Sequence, residues 1–450
     1  MDLTWLRLGP ADVHVERLQA EQEGRDIGAL VGRFEDLGDM SRSGEEVASD
    51  AYQRTLGSLL DDVQRAPFRD DYPYDEPSDL ESILARRRQG PRLAEPVTGD
   101  ALLDRLRGAW AGRCAGCLLG KPVEGWRRDR MHGYLRDLNR FPLDRYFAAD
   151  VPPEIAERYH IDPRNPGYIE NVTAMPEDDD TNYTVTGFAI VRNHGPSFTS
   201  EDVASFWLGN IPVLHVCTAE RVAYKNLVCA ILPPDSASYR NPYREWIGAQ
   251  IRADAFGYLA AGDPELAASW GWRDARISHI KNGIYGEMWA AATIAAAFRT
   301  DDPKEAILAG LAQVPENSRL VSSVDQVIGW HEEGVGYDDA CERFHGIWNE
   351  THGHDWCHTI SNAMIVTIGL LWGEGDFALS ICRAVQPCFD TDCNGATVGS
   401  IIGALLGRKA LPEDWLAPMR DTLITGVAGY HRVSISEMAD LTKRLIDDRA

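Results

Sequence analysis

Residues 102–121 read LLDRLRGAWAGRCAGCLLGK, and residues 392–409 read DCNGATVGSIIGALLGRK. Each run has glycine at every fourth position: Gly108, Gly112, Gly116 and Gly120 in the first, Gly395, Gly399, Gly403 and Gly407 in the second. Residues four apart share one face of an α-helix, so each run predicts a helix with a smooth stripe along one side. An interior glycine costs about 1 kcal/mol relative to alanine, so eight of them predict a close helix–helix approach in a crowded core. The chemistry is then expected at the helix ends, which such packing would hold in place.

Outward from these runs, 3.6-residue periodicity or Ala-rich composition predicts helices at Thr184–Asn193, Glu220–Ala230, Tyr243–Ala260, Gly286–Phe298, Lys304–Leu311, Thr359–Leu371 and Phe377–Val385. Alternating strand patterns are scarce, so the chain reads as all-α with long functional loops. The beginning differs. Arg69–Ser82 is acidic and Pro-rich, and Gly90-Pro91, Glu95-Pro96 and Gly99 are linker signals. Residues 1–98 are read as an N-terminal extension of open role, packed on or swinging beside a main domain of residues 99–450.

The chain has 450 residues, 44% hydrophobic and 25% charged, which excludes disorder as its main state. A net charge of −24 repels phosphate backbones and anionic surfaces, so neither a nucleic-acid nor a membrane partner is expected. Apolar runs such as Ile365–Trp372 fall far short of the roughly 20 residues a spanning helix needs. The first residues lack the basic and apolar regions of a signal peptide. Nine scattered cysteines, an odd number, read as reduced thiols in a cytoplasmic protein.

Residues 175–184 read MPEDDDTNYT, with Glu177, Asp178, Asp179 and Asp180 adjacent at a predicted helix start. An N-cap explains one or two of these acids. Four together call for a cation or raised pKa values. Residues 388–395, CFDTDCNG, again put Asp390 and Asp392 at a helix start. Oxygen ligands without His partners select Mg²⁺, Mn²⁺ or Ca²⁺ over Zn²⁺. An Asp-rich terpene-synthase motif is disfavoured, since Asn182 stands where DDxxD needs its last acid. The histidines of HGHDWCH (His352, His354 and His358) are read as capping or packing groups.

Three motifs occur in order: Gly116-Cys117-Leu118-Leu119-Gly120-Lys121-Pro122-Val123-Glu124, Asp178-Asp179-Asp180-Thr181, and Asp390-Thr391-Asp392-Cys393-Asn394-Gly395-Ala396. The order resembles the ADP-ribosylglycohydrolase family, whose members usually carry GDxxGxPxE-like, (T/S)DDT and DTD(T/S) segments. Gly248-Ala249-Gln250-Ile251-Arg252 looks like the family's GAxxR segment. The resemblance runs over roughly residues 102–430.

The resemblance implies an orthogonal all-α helical bundle with a binuclear Mg²⁺ centre, sometimes Mn²⁺. It also implies hydrolysis of the glycosidic bond at the anomeric carbon of an ADP-ribosyl group. Carried over, the metal ligands fall on Asp178, Asp179, Asp180, Asp390, Asp392 and Cys393, and the catalytic carboxylates on Asp179 and Glu124. Gly248 and Arg252 are candidates for substrate binding, with ion pairing the rival account of Arg252. His279 and Asn282, just before the Ala-rich helix, are further candidates, with a structural histidine the leading account of His279. Three positions depart from the pattern: Cys117 replaces Asp, Asp178 replaces Thr or Ser, and Cys393 replaces Thr or Ser. The expected partner is a small nucleotide-like substrate or an ADP-ribosylated protein, and the oligomeric state stays open. The alternative is a non-catalytic relative that kept the metal and nucleotide pocket.

Overall fold

The two glycine stripes face each other in the computed structural model, which describes residues 4–449. The first stripe lies on the helix Gly99–Gly120 and the second on the helix Thr391–Leu406. A Cβ added at Gly112 would stand 3.0 Å from the carbonyl carbon of Gly399, and one added at Gly403 would stand 2.7 Å from that of Gly108. No larger side chain fits between backbones this close, which explains the unfavourable residue choice. Rising numbers on one helix meet falling numbers on the other, so the pair is antiparallel. Gly120, ending the first helix, therefore meets Thr391, beginning the second. The Thr391 hydroxyl donates to the Gly120 carbonyl oxygen at 2.9 Å.

The helix Lys281–Ala296 is buried on every side from Asn282 onward, and Thr359–Leu371 along its whole length. Such all-round burial places a helix in the interior. Local signals set the starts. Asp178 accepts from the Asp180 amide at 3.0 Å and caps Asp179–His194. Asp376 accepts from the Leu379 amide at 2.7 Å and caps Phe377–Val385. Thr359–Leu371 and Phe377–Val385 have the bounds predicted from periodicity. Among the described residues the sheet content is one antiparallel pair, Thr422–Ile424 with Arg432–Ser434. The fold is all-α.

The stretch Tyr243–Ala260 is not the single helix its periodicity predicts. It holds a 3₁₀ turn, Gln250–Arg252, and a short helix, Asp254–Leu259. The backbone before them is engaged elsewhere: the Ile247 amide donates to the Cys357 carbonyl at 2.8 Å, and the Thr359 amide to the Glu245 carbonyl at 3.0 Å. This cross-chain pairing competes with the i→i−4 ladder.

The N-terminal extension is packed on the main body through buried charge. Arg244 is enclosed by Glu16 at 2.7 Å and Glu23 at 3.0 Å. Arg319 bridges Glu76 at 2.9 Å and Glu245 at 2.7 Å, and Gln19 donates to Glu245 at 2.6 Å. Each arginine satisfies acids far away in sequence, and removing one partner of such a pair leaves an unpaired buried charge.

Candidate metal centre

The antiparallel glycine pair brings the C-terminal end of its first helix beside the N-terminal end of its second. Lys121 and Glu124 follow Gly120, and Asp390 and Asp392 flank Thr391. The Asp178–Thr181 motif arrives through Arg113, a fully buried residue of the first glycine helix. Arg113 donates to the Asp180 carboxylate at 3.0 Å, to the Asp180 carbonyl at 2.9 Å and to Thr184 Oγ1 at 2.5 Å, and pairs with Asp254 at 2.9 Å. One arginine thus locks the start of the Asp179–His194 helix against the glycine pair.

Ligand-type atoms gather there in three groups, each within 4.8 Å: Cys117, Asp178 and Asp180; Asp180, Asp392 and Cys393; Glu124, Asp390 and Asp392. Among the described residues no such group contains a histidine. Asp179 is half-buried at the cleft and belongs to none of the three. Asp180 Oδ2 and Asp392 Oδ1 are buried without any hydrogen-bond partner.

Burial pushes the carboxyls of Asp179 and Asp392 well above the usual range, and the neighbouring acids push them further. Asp180 is also raised, burial outweighing the attraction of Arg113. Glu124, at the solvent-facing mouth, is pushed up to about 7 by desolvation in the cleft and then by Asp390 and Asp178. Asp178 goes the other way. Burial would raise it, but the Lys121 ammonium at 2.6 Å and hydrogen bonds hold it below the ordinary range. Five clustered acids with two cationic partners, Arg113 and Lys121, and two orphaned oxygens in the cluster fit divalent cations. The cluster is able to hold metal ions.

Beside the cluster opens a cleft of about 380 Å³. Glu177 and His215, 2.5 Å apart, stand on one wall. Gly248, Glu220, Trp356 and Cys357 also line it. A Cβ at Gly248 would come within 2.5 Å of the Glu220 carboxyl carbon, so a larger residue there would have to displace that carboxylate. Glu220 is in turn held by Arg252 at 2.5 Å.

Arg252, His279 and Asn282, expected to bind substrate, do not line the cleft. Arg252 is 1% exposed, and its guanidinium is taken up by Glu220 and Asp274, both at 2.5 Å. His279 is fully buried with its ring against Ser278 Oγ at 2.8 Å, and burial, then Arg252, keeps it neutral. Asn282 donates to Glu245 at 3.0 Å and accepts from the Leu320 amide at 3.0 Å. Arg252 and Asn282 serve the frame behind the wall through these pairs, and His279 packs there with its Nε2 unpartnered. His358 caps its own helix, and His354 accepts from the Trp246 indole at 3.0 Å.

Sequence reasoning missed Lys121 and Arg113. A signal existed for the first: an acid at position 178, where a neutral hydroxyl is usual, asks for a nearby cation. Arg113 carried no such signal, since only packing places it against Asp180.

The family model described as ADP-ribosylglycohydrolase matches residues 98–449. No curated protein matches the chain. A solved structure described as an ADP-ribosylglycohydrolase-related protein complex is similar at 20% identity and a TM-score of 0.49, over 78% of this chain and 99% of that one. The match of the family model over most of the chain, with the three motifs converging on one acidic centre, identifies the protein as a member of the ADP-ribosylglycohydrolase family.

Proposed function

We propose that the protein is a Mg²⁺-dependent hydrolase that cleaves the glycosidic bond at the anomeric carbon of an ADP-ribosyl or related ribosyl-nucleotide conjugate. The substrate is either a protein adduct or a small NAD-derived metabolite. The observation that carries this reading is the pair of orphaned oxygens, Asp180 Oδ2 and Asp392 Oδ1, buried where the three motif ends meet beside an open cleft. Divalent ions bound there would supply positive charge to orient vicinal hydroxyls and water.

Asp179 stands outside the ligand groups and lines the cleft, which suits it to take the proton of the attacking water. Glu124 at the mouth orients the substrate. The remaining acids stabilise the oxocarbenium character that develops at the anomeric carbon. Free cysteines at all nine positions support a reducing compartment and a cytoplasmic location. No helix among the described residues is long and apolar enough to cross a membrane.

The test is product analysis by mass spectrometry over ADP-ribosyl-arginine peptide, ADP-ribosyl-serine peptide, NAD, nicotinamide mononucleotide and O-acetyl-ADP-ribose. Wild type and Asp179→Ala are compared with Mg²⁺ and with EDTA. Release of a ribose-bearing product that needs both Mg²⁺ and Asp179 supports the reading. The Lys121–Asp178 pair favours a second reading, a non-catalytic relative in which an ammonium neutralises part of the centre. Nucleotide binding without turnover in wild type would move the assignment there.

A further inference from the structure

Two of the ligand groups share Asp392 but differ in chemistry. Glu124, Asp390 and Asp392 offer oxygen alone, whereas Asp180, Asp392 and Cys393 add a sulfur. We propose that the centre has two unlike cation positions, and that Cys393 gives the second a thiolate donor selecting a borderline divalent ion, such as Co²⁺ or Zn²⁺, over Mg²⁺. The inference rests on the metal-centre part of the reading above and not on its substrate.

The geometry favours this thiol. Cys393 is 5% exposed, lines the cleft, and has its sulfur within 4.8 Å of ligand oxygens of both Asp180 and Asp392. Those two residues carry the orphaned buried oxygens Asp180 Oδ2 and Asp392 Oδ1, since Arg113 engages only the other oxygen of Asp180. The group that contains Cys117 is different. Its Asp178 already receives Lys121 at 2.6 Å and the Asp180 amide at 3.0 Å, so an ammonium holds the place of positive charge. Cys357 donates to Asp390 at 3.6 Å but completes no ligand group.

Thiolate ligands suit softer cations, while Mg²⁺ demands oxygen in near-octahedral array. Coordination forms one metal–sulfur bond and releases the thiol proton to solvent. Asp392, common to both groups, would contribute oxygen to both positions.

Metal-free protein is titrated with Co²⁺ and followed by absorption. Ligand-field bands report bound cobalt at any site, and a near-ultraviolet thiolate-to-cobalt band reports sulfur ligation. The expected result is a charge-transfer band in wild type, lost in Cys393→Ser and retained in Cys117→Ser and Cys357→Ser. Cys393→Thr, a conservative replacement with the family's usual hydroxyl, is expected to lose the band and still bind Mn²⁺. Circular dichroism confirms that each variant is folded. Ligand-field bands without a charge-transfer band in wild type, or a band that survives Cys393→Ser, would overturn the proposal. Absence of any cobalt binding would overturn both this proposal and the metal-centre reading. A sulfur-ligated cobalt in a protein that turns over none of the ribosyl compounds supports the proposal and overturns only the hydrolase reading.

Discussion

Gly116 and Gly395 pack backbone to backbone: a Cβ on Gly116 would fall 2.5 Å from the carbonyl carbon of Gly395. The contact lies one helical turn from the acidic centre, since Gly120 and Thr391 meet next along the same stripe. Stability and the acidic centre therefore depend on the same close approach.

Gly116→Ala is expected to lower stability by about 2 kcal/mol, because overpacking against backbone costs about 3 kcal/mol and helix propensity returns roughly 1 kcal/mol. Metal affinity should fall with it as the helix ends separate. Gly329→Ala is the control: it is also helical, and an added Cβ there meets nothing within 4 Å. It should be neutral or slightly stabilising. Urea unfolding of both variants checks the contrast.

Asp392→Asn should act in opposite directions with and without metal. In metal-free protein the Asp392 carboxyl is raised, by burial first and by Glu124 and Asp178 next. The folded state then holds a proton that the unfolded chain releases, so stability is lost as pH rises above the ordinary carboxylate range. The asparagine removes that loss, and the metal-free variant should melt higher than wild type at pH 7. With saturating Mn²⁺ the order should reverse, since only wild type gains fully from binding. Thermal melts with and without the ion decide.

Lys121 and Asp178 should behave as a coupled unit. Lys121→Ala alone leaves a buried carboxylate unpaired and is expected to weaken the centre severely. Adding Asp178→Thr removes the orphan and restores a neutral hydroxyl. A double-mutant cycle on metal affinity should give a coupling of about 1–3 kcal/mol. Additive effects would mean that the pair does not operate in solution.

Glu23 links the extension to acid stability. Burial would raise its carboxyl, but Arg244 and Lys281 overcome this and hold it down at about 2. A lowered acid contributes stability above the unfolded pKa that is lost as pH falls through the folded one. The window runs from the ordinary glutamate range down to about pH 2, and the contribution is about 3 kcal/mol. Wild type should lose stability on acidification faster than Glu23→Gln, and their difference should shrink toward pH 2. Urea midpoints between pH 6 and 3 test the slope.

Deleting residues 1–98 should prevent folding rather than open the cleft. Arg244 would lose both Glu16 and Glu23, and Arg319 would lose Glu76. Circular dichroism and gel filtration of the truncated chain check this. A folded, monomeric product would restore the extension as a separable element.

Much was legible in the chain itself. The four-residue glycine period determined two helices with bare faces, and runs such as Thr359–Leu371 and Phe377–Val385 could be bounded from periodicity. Helix starts rich in Asp marked where carboxylates would gather. These features are local, written in spacing and capping along one dimension, and need no partner to be read. Tertiary structure alone decided that the stripes face each other antiparallel, and so that residues 120 and 391 meet. It also decided which polar residues line the cleft and which serve the frame. Arg252, His279 and Asn282 look like binding residues in sequence, yet their partners Asp274, Ser278 and Glu245 draw them behind the cleft wall. A buried charge is satisfied by whichever opposite charge packing brings near, as Arg319 is by Glu76 across 243 residues. Pattern fixes what a segment is, and only the closed core fixes what it touches.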